Sequence, residues 1–157
     1  MNVKCSNVQK GEKGRRKNGF PINPKNMGFK YFNPHPRGLI VGDCVKRSLV
    51  AATEWPYRTV QRELNDYKKI TGARYFNTDY NPHKFVEKVL RAKKICFRRK
   101  ITAAEFCNEY PVGRYILDMD DHWTAVIDSV IYDTFDPSDM LVVRAYKMKN
   151  ESHNTPV

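Results

Sequence analysis

Cys44 is the residue around which chemistry can be organised in this chain. It stands in Gly42-Asp43-Cys44-Val45-Lys46-Arg47-Ser48-Leu49-Val50-Ala51-Ala52-Thr53, where a turn-forming Gly-Asp pair runs straight into helix-forming residues. The pattern predicts Cys44 in the first turn of a helix. Backbone N–H groups there have no intrahelical partner and the helix dipole is positive, so a thiolate is favoured. Far downstream, Asp121-His122-Trp123-Thr124-Ala125-Val126-Ile127 reads as a strand that opens on a histidine. Ile131-Tyr132-Asp133-Thr134-Phe135-Asp136 reads as a second strand that offers carboxylates. A cysteine on a helix start, then a histidine, then an acid on the next strand is the order in which a Cys-His-Asp nucleophile system is built.

Whether the three meet depends on the turn between the strands. Asp128-Ser129 is a two-residue turn candidate. It pairs Ile127 with Val130, Thr124 with Asp133 and His122 with Phe135. Because side chains alternate, His122, Thr124, Asp133 and Phe135 then share a face. Asp133 becomes a diagonal neighbour of His122, close enough to orient the imidazole. Asp136 points the other way unless the strand ends at the Asp-Pro step, and it stays the alternative third member. Asp118, Asp120, Asp121 and Asp133 together favour a charged imidazole. Taken singly, a strand histidine, a strand carboxylate and a helix cysteine are ordinary packing or surface residues. Their joint order is what points to chemistry.

The elements that must position these residues fall into two groups. Met1 to about Lys30 is Gly-, Lys-, Asn- and Pro-rich without periodicity and reads as a basic irregular arm. Tyr31 to Gly38 is an extended, Pro-punctuated lead into the Cys44 helix. A second helix starts at Pro56, carries Val60, Leu64 and Tyr67 on one face, and stops at Thr71-Gly72. A third begins at Asn81-Pro82 with Phe85, Val86, Val89 and Leu90 as its buried stripe. A short fourth runs from Thr102 to before Pro111. Strands follow over Gly113 to Asp118, His122 to Ile127, Val130 to Phe135 and Met140 to Tyr146, all rich in β-branched and aromatic residues. Helices first and an antiparallel sheet after them make an α+β domain over residues 31–157.

Size and composition fit that organisation. With 157 residues the chain can build one real core and not two comfortable ones. No apolar run is long enough to cross a bilayer, and the N-terminus lacks the apolar stretch of a secretory signal, so a cytoplasmic location without membrane attachment is expected. Cys5, Cys44, Cys96 and Cys107 form no close pair. That excludes a CxxC redox motif and a zinc ribbon, makes a disulfide framework unexpected, and leaves Cys96 and Cys107 as packing residues. No metal or other cofactor is expected. The net charge of +11 is uneven: residues 1–30 hold eight Lys or Arg and one acid, whereas residues 113–140 hold seven Asp and one Arg. A basic surface favours anionic partners. Arg91, Lys93, Lys94, Arg98, Arg99 and Lys100, with Arg15, Arg16 and Lys17 of the arm, make a nucleic-acid contact surface the rival reading.

Gly42-Asp43-Cys44-x-x-Arg47-Ser48, Thr53-x-Trp55, Gly113-Arg114-Tyr115-Ile116, His122-Trp123-Thr124-Ala125-Val126 and Tyr132-Asp133-Thr134-Phe135-Asp136 follow one another in this order. In these motifs the stretch from Gly38 to Tyr146 resembles small papain-like cysteine-peptidase-fold proteins, many encoded by bacteriophages or prophages. The resemblance implies a papain-like fold and a cysteine-dependent hydrolase acting on a protein or peptide substrate, with Cys44 as nucleophile, His122 as general base and acid, and Asp133 as orienting acid. It equally admits an inactive papain-like interaction module. One departure stands out. The glutamine that papain places six residues before its nucleophile, as an oxyanion donor, is replaced here by Gly38. The Cys44 backbone N–H supplies one donor, and Asn33 and His35 are the polar residues available for a second.

Overall fold

The computed structural model describes residues 28–71 and 82–149. The expectations for the basic arm before Gly28, including Cys5, Arg15, Arg16 and Lys17, lie outside the described residues, as do those for Gly72 and Asn81.

Helices packed on a six-stranded, mostly antiparallel sheet make this an α+β fold. The chain runs β1 (Gly28–Tyr31), α1 (Cys44–Thr53), α2 (Tyr57–Ile70), α3 (Pro82–Lys88), β2 (Lys93–Ile95), α4 (Ala103–Glu109), β3 (Arg114–Met119), β4 (His122–Ile127), β5 (Val130–Asp133) and β6 (Val142–Lys147). The sheet order is β1-β5-β4-β3-β6-β2. Only β1 is parallel to its neighbour, with Gly28 opposite Val130 and Tyr31 opposite Asp133. Two apolar clusters sandwich the sheet. Leu49, Ala52, Val60, Leu64 and Phe85 of α1, α2 and α3 pack with Ile116, Trp123 and Ala125. On the opposite face, Phe106 and Cys107 of α4 pack with Leu117, Val126 and Ile131. The alternation of side chains along β4 divides its residues between these two cores.

The first helix begins at the residue the sequence singles out. Asp43 is its N-cap and Cys44 its first helical residue. At the other end, Glu54 adopts a left-handed φ of 60° and donates its N–H to Val50 O. Arg114 of β3 reaches the Ala51 carbonyl at 3.2 Å, tying this end of α1 to the sheet. The β4–β5 connection is the two-residue turn expected: Ile127 pairs with Val130, and Asp128 and Ser129 both have positive φ, as in a type I′ hairpin. The Ser129 hydroxyl donates to Cys107 O at 2.9 Å, which anchors the turn under α4.

Several boundaries differ from the sequence reading. Two strands were not expected. β1 starts at Gly28, within the stretch read as arm, and β2 occupies Lys93–Ile95. Both are short edge strands whose exposed residues give no apolar alternation. β5 stops at Asp133 instead of continuing to Phe135. The third helix ends at Lys88, so Phe85 and Val86 are buried while Val89 is exposed. Cys107 is fully buried, but Cys96 is exposed and disulfide-bonded, which corrects its reading as a packed free thiol. Cys44 and Cys107 are the free thiols among the described residues.

Candidate active site

Cys44, His122 and Asp133 come together where three element ends meet: the first residue of α1, the first of β4 and the last of β5. The His122 Nε2 lies 2.6 Å from Asp133 Oδ2. The Cys44 thiol lies near enough to the His122 ring and the Trp123 N–H for both to favour its ionised form. With Nε2 engaged by the carboxylate, Nδ1 is the nitrogen left for the sulfur. All three groups are largely shielded: His122 is 9 % exposed, Asp133 2 %, and Cys44 is half-buried.

Asp133 is held from several directions. Its Oδ1 accepts the N–H of Thr134 at 2.7 Å, and the nearby Thr124 hydroxyl, which donates to Tyr132 O at 3.4 Å, also favours the ionised carboxylate. Its backbone carbonyl accepts the N–H of Phe32 at 2.8 Å, so the run of chain after β1 fixes the end of β5. Arg47 Nη2 approaches Oδ1 at 3.7 Å. The same guanidinium forms a close ion pair with Asp43 and donates to Val41 O at 3.1 Å. Asp43 also accepts the Tyr57 hydroxyl at 2.8 Å. Its carboxylate therefore does not cap α1 through its side chain. It instead joins a buried network running Tyr57–Asp43–Arg47–Asp133.

The electrostatics follow from these contacts. Burial opposes ionisation of Cys44, but the His122 hydrogen bond, the Trp123 N–H and the charges of His122 and Arg47 bring its thiol below the ordinary value. Burial likewise opposes a charged His122, yet the bonds to Asp133 and Cys44 raise its pKa to about 9. Burial pushes Asp133 up, and His122, Thr124 and the Thr134 N–H together more than reverse this. The three shifts run in the directions that favour thiolate, imidazolium and carboxylate over their neutral forms. Cys107 is the internal contrast. Burial, with Asp136 adding to it, pushes that thiol up to about 12.

Other expectations fare differently. Asp136 is not brought to His122; its carboxylate accepts the N–H and hydroxyl of Ser138 in an exposed turn. Among the acids expected to bias His122, Asp133 is the one in contact. Asp118 is bound by Arg144 at 3.0 Å and faces His83, while Asp120 and Asp121 are exposed. Trp123 is a core residue against Leu49 and Tyr146. Both polar residues offered as second oxyanion donor have other partners. Asn33 gives its amide protons to Gly38 O and Leu39 O, and His35 Nδ1 accepts the Arg37 N–H. Gly38 itself, with φ 64°, closes the turn from His35. The Cys44 backbone N–H has no partner among the described residues and remains the one assigned donor.

The residue that sequence reasoning passed over is Arg47. Its signal was present: an acid at 43 and an arginine at 47 have ion-pair spacing on a helix start. Phe135 also belongs to the surroundings. It is 47 % exposed and its ring centroid lies 4.7 Å from that of His122. Among the described residues, no cluster of His, Cys, Asp or Glu is placed to hold a metal ion, and no helix is long and apolar enough to cross a membrane. Comparisons with protein-family models, with curated proteins and with solved structures return no match.

Proposed function

We propose that the protein is a papain-like cysteine-dependent hydrolase that cleaves a peptide, isopeptide or other amide through an acyl-enzyme. The observation that carries this reading is the placement of His122 between Asp133 and Cys44, with the thiol shifted down and the imidazole up. The Cys44 thiolate attacks the carbonyl carbon, forming the C–S bond as the carbonyl electrons move to oxygen. The oxyanion accepts the Cys44 N–H at the start of α1. His122 gives its Nδ1 proton to the leaving nitrogen as the C–N bond breaks, leaving a thioester. Water then attacks the thioester carbonyl, Nδ1 takes the proton, and the acid product leaves as the thiolate reforms. Asp133 keeps the ring oriented and supports its positive charge throughout. The exposed Phe135 ring lies beside the histidine, where an apolar part of the substrate can rest.

Thiol labelling tests the proposal directly. Cys44 is expected to alkylate with iodoacetamide at neutral pH far faster than Cys107, and to keep reacting below pH 7. His122→Ala and Asp133→Asn should both slow it. In wild type, a quenched peptide library should be cleaved, and the cleavage should vanish in Cys44→Ala. Equal, slow labelling of both thiols, unaffected by His122→Ala, rules out an activated nucleophile. Fast labelling without cleavage of any amide supports an interaction module built on the same frame.

A second reading has one supporting observation. Arg91, Lys93, Arg98 and Lys100 are exposed around the edge strand β2, although Arg99 is taken up by Glu105 and Glu109. Salt-sensitive retention on nucleic acid that survives Cys44→Ala and is lost on neutralising these residues favours nucleic-acid binding.

A further inference from the structure

A cleft of about 660 Å³ opens between the loop before α1, α1 itself and α2, and it includes neither Cys44 nor His122. Its long wall is one face of α2. Arg58, Gln61, Arg62, Asn65 and Lys69 recur there at helical spacing, a polar stripe about 16 Å long at 1.5 Å per residue. Arg37 of the loop and Lys46 of α1 face the stripe across the cleft. The charges are unequally satisfied. Arg62 pairs with Glu63 at 3.2 Å and Lys69 with Asp66 at 3.9 Å. Arg37, Lys46 and Arg58 make no ion pair with any described residue. Lys46 instead stands over the Tyr57 ring, 5.8 Å from its centroid. Three uncompensated cations around one concavity have a favourable use only if an anion enters it.

We infer that this cleft binds an acidic segment of a polypeptide, and so holds an acid-bearing substrate beside the catalytic centre. The inference rests on the hydrolase reading for its choice of substrate. Three observations select a polypeptide over a nucleic acid. The aromatic ring in the cleft, Tyr57, is buried and covered by Lys46 and His35, leaving no open face on which a base can stack. Asp66 interrupts the stripe, which penalises a continuous polyanion more than a chain with spaced acids. The length of the stripe suits about five extended residues at 3.3 Å each. The cleft also shares a wall with the candidate active site. Val41 and Tyr57 line it, and both bond into the network beneath Cys44, Val41 O to Arg47 and the Tyr57 hydroxyl to Asp43. A chain lying in the cleft is therefore held against the segment that carries the nucleophile.

Direct binding to the full chain carrying Cys44→Ala tests this without requiring activity. The probe is a fluorescein-labelled decapeptide of alternating Glu and Gly, followed by anisotropy at low ionic strength. An alternating Lys-Gly decapeptide and a ten-residue oligothymidylate are the comparisons. The acidic peptide is expected to bind, the basic one not. Arg37→Gln/Lys46→Gln/Arg58→Gln should weaken binding about tenfold or more, near 1.4 kcal/mol. Arg91→Gln/Lys93→Gln/Arg98→Gln, remote from the cleft, should leave it unchanged. Arg58→Glu is a single exposed substitution that should weaken binding with the Tm unchanged. The inference falls if the cleft triple binds like its parent. It falls too if both triples lose binding equally, which is unspecific charge attraction. Tighter binding of oligothymidylate, lost in the cleft triple, makes the cleft a nucleic-acid site and overturns the polypeptide assignment. Failure of thiol activation leaves these outcomes untouched, so the two readings stand or fall separately.

Discussion

Arg47 shows how much of the candidate site depends on one side chain that performs no chemistry. It is 5 % exposed and carries its charge between two buried carboxylates, Asp43 before Cys44 and Asp133 beside the histidine. Without it, those two anions would face each other in a low-dielectric environment, and one would take up a proton. Protonation of Asp133 would remove the acceptor that holds His122 charged. Arg47→Met is therefore expected to act twice. Removing one member of a buried ionic network typically costs about 3–5 kcal/mol, read as a lower urea midpoint. The loss of imidazolium should slow Cys44 alkylation below pH 7 even under conditions where the variant is folded. A variant with unchanged alkylation across that range would reduce Arg47 to a purely structural part. The three grouped residues were legible in the sequence because turn chemistry marks the starts of α1 and β4 and sets the hairpin register, although the end of β5 at Asp133 was not read. Gly42-Asp43 marks Cys44, and Asp128-Ser129 fixes the register that aligns Asp133 with His122. Arg47 was not legible as a partner of Asp133, because the contact spans 86 positions and no local pattern encodes it.

At the scale of elements, the pieces with local signals were the readable ones. Helix α1 spans the stretch marked by its turn and its run of helix formers, and α2 stops where the chain reaches Thr71. Helix α4 is announced by a capping box. The Thr102 hydroxyl accepts the Glu105 N–H at 3.1 Å, and Glu105 returns a bond to the Thr102 N–H at 2.7 Å. This helix floors the core beneath the β4–β5 turn, since the Cys107 carbonyl takes the Ser129 hydroxyl. Thr102→Ala removes the acceptor at the helix start and is expected to cost about 1 kcal/mol, seen as a reduced urea midpoint with no change in the slope of the transition. The residue 102 N–H, which chiefly holds the Glu105 carboxyl below the usual range, is kept by alanine. An unchanged midpoint would mean α4 is held by burial of Phe106 and Cys107 alone. Strands β1 and β2 escaped the sequence reading for the opposite reason. Their only specification is long-range pairing, β1 with β5 and β2 with β6, and a short exposed edge carries no period of its own.

For the molecule as a whole, the proton shared by sulfur and imidazole couples stability to pH. A His122 raised to about 9 contributes stability that is fully present below its ordinary value of 6.5 and is lost as pH rises through about 9. Cys44 has the opposite sign. Its lowered thiol contributes stability present above the ordinary value of 9.0 and lost as pH falls through its shifted value. Where the thiolate is formed, the folded chain holds one proton on the ring and the unfolded chain holds one on the sulfur. The numbers bound are equal, and the wild-type protein should show little slope there. Cys44→Ala deletes one side of the balance. Asp133 still favours the charged ring at 2.6 Å, so the variant should lose stability as pH rises above 6.5, more steeply than the parent. Urea unfolding at half-unit steps of pH measures both curves, and a double variant that also carries His122→Asn should flatten the slope again. If Cys44→Ala and wild type run parallel through this range, the sulfur keeps its proton in the folded state, and the thiolate that the proposed chemistry requires does not form.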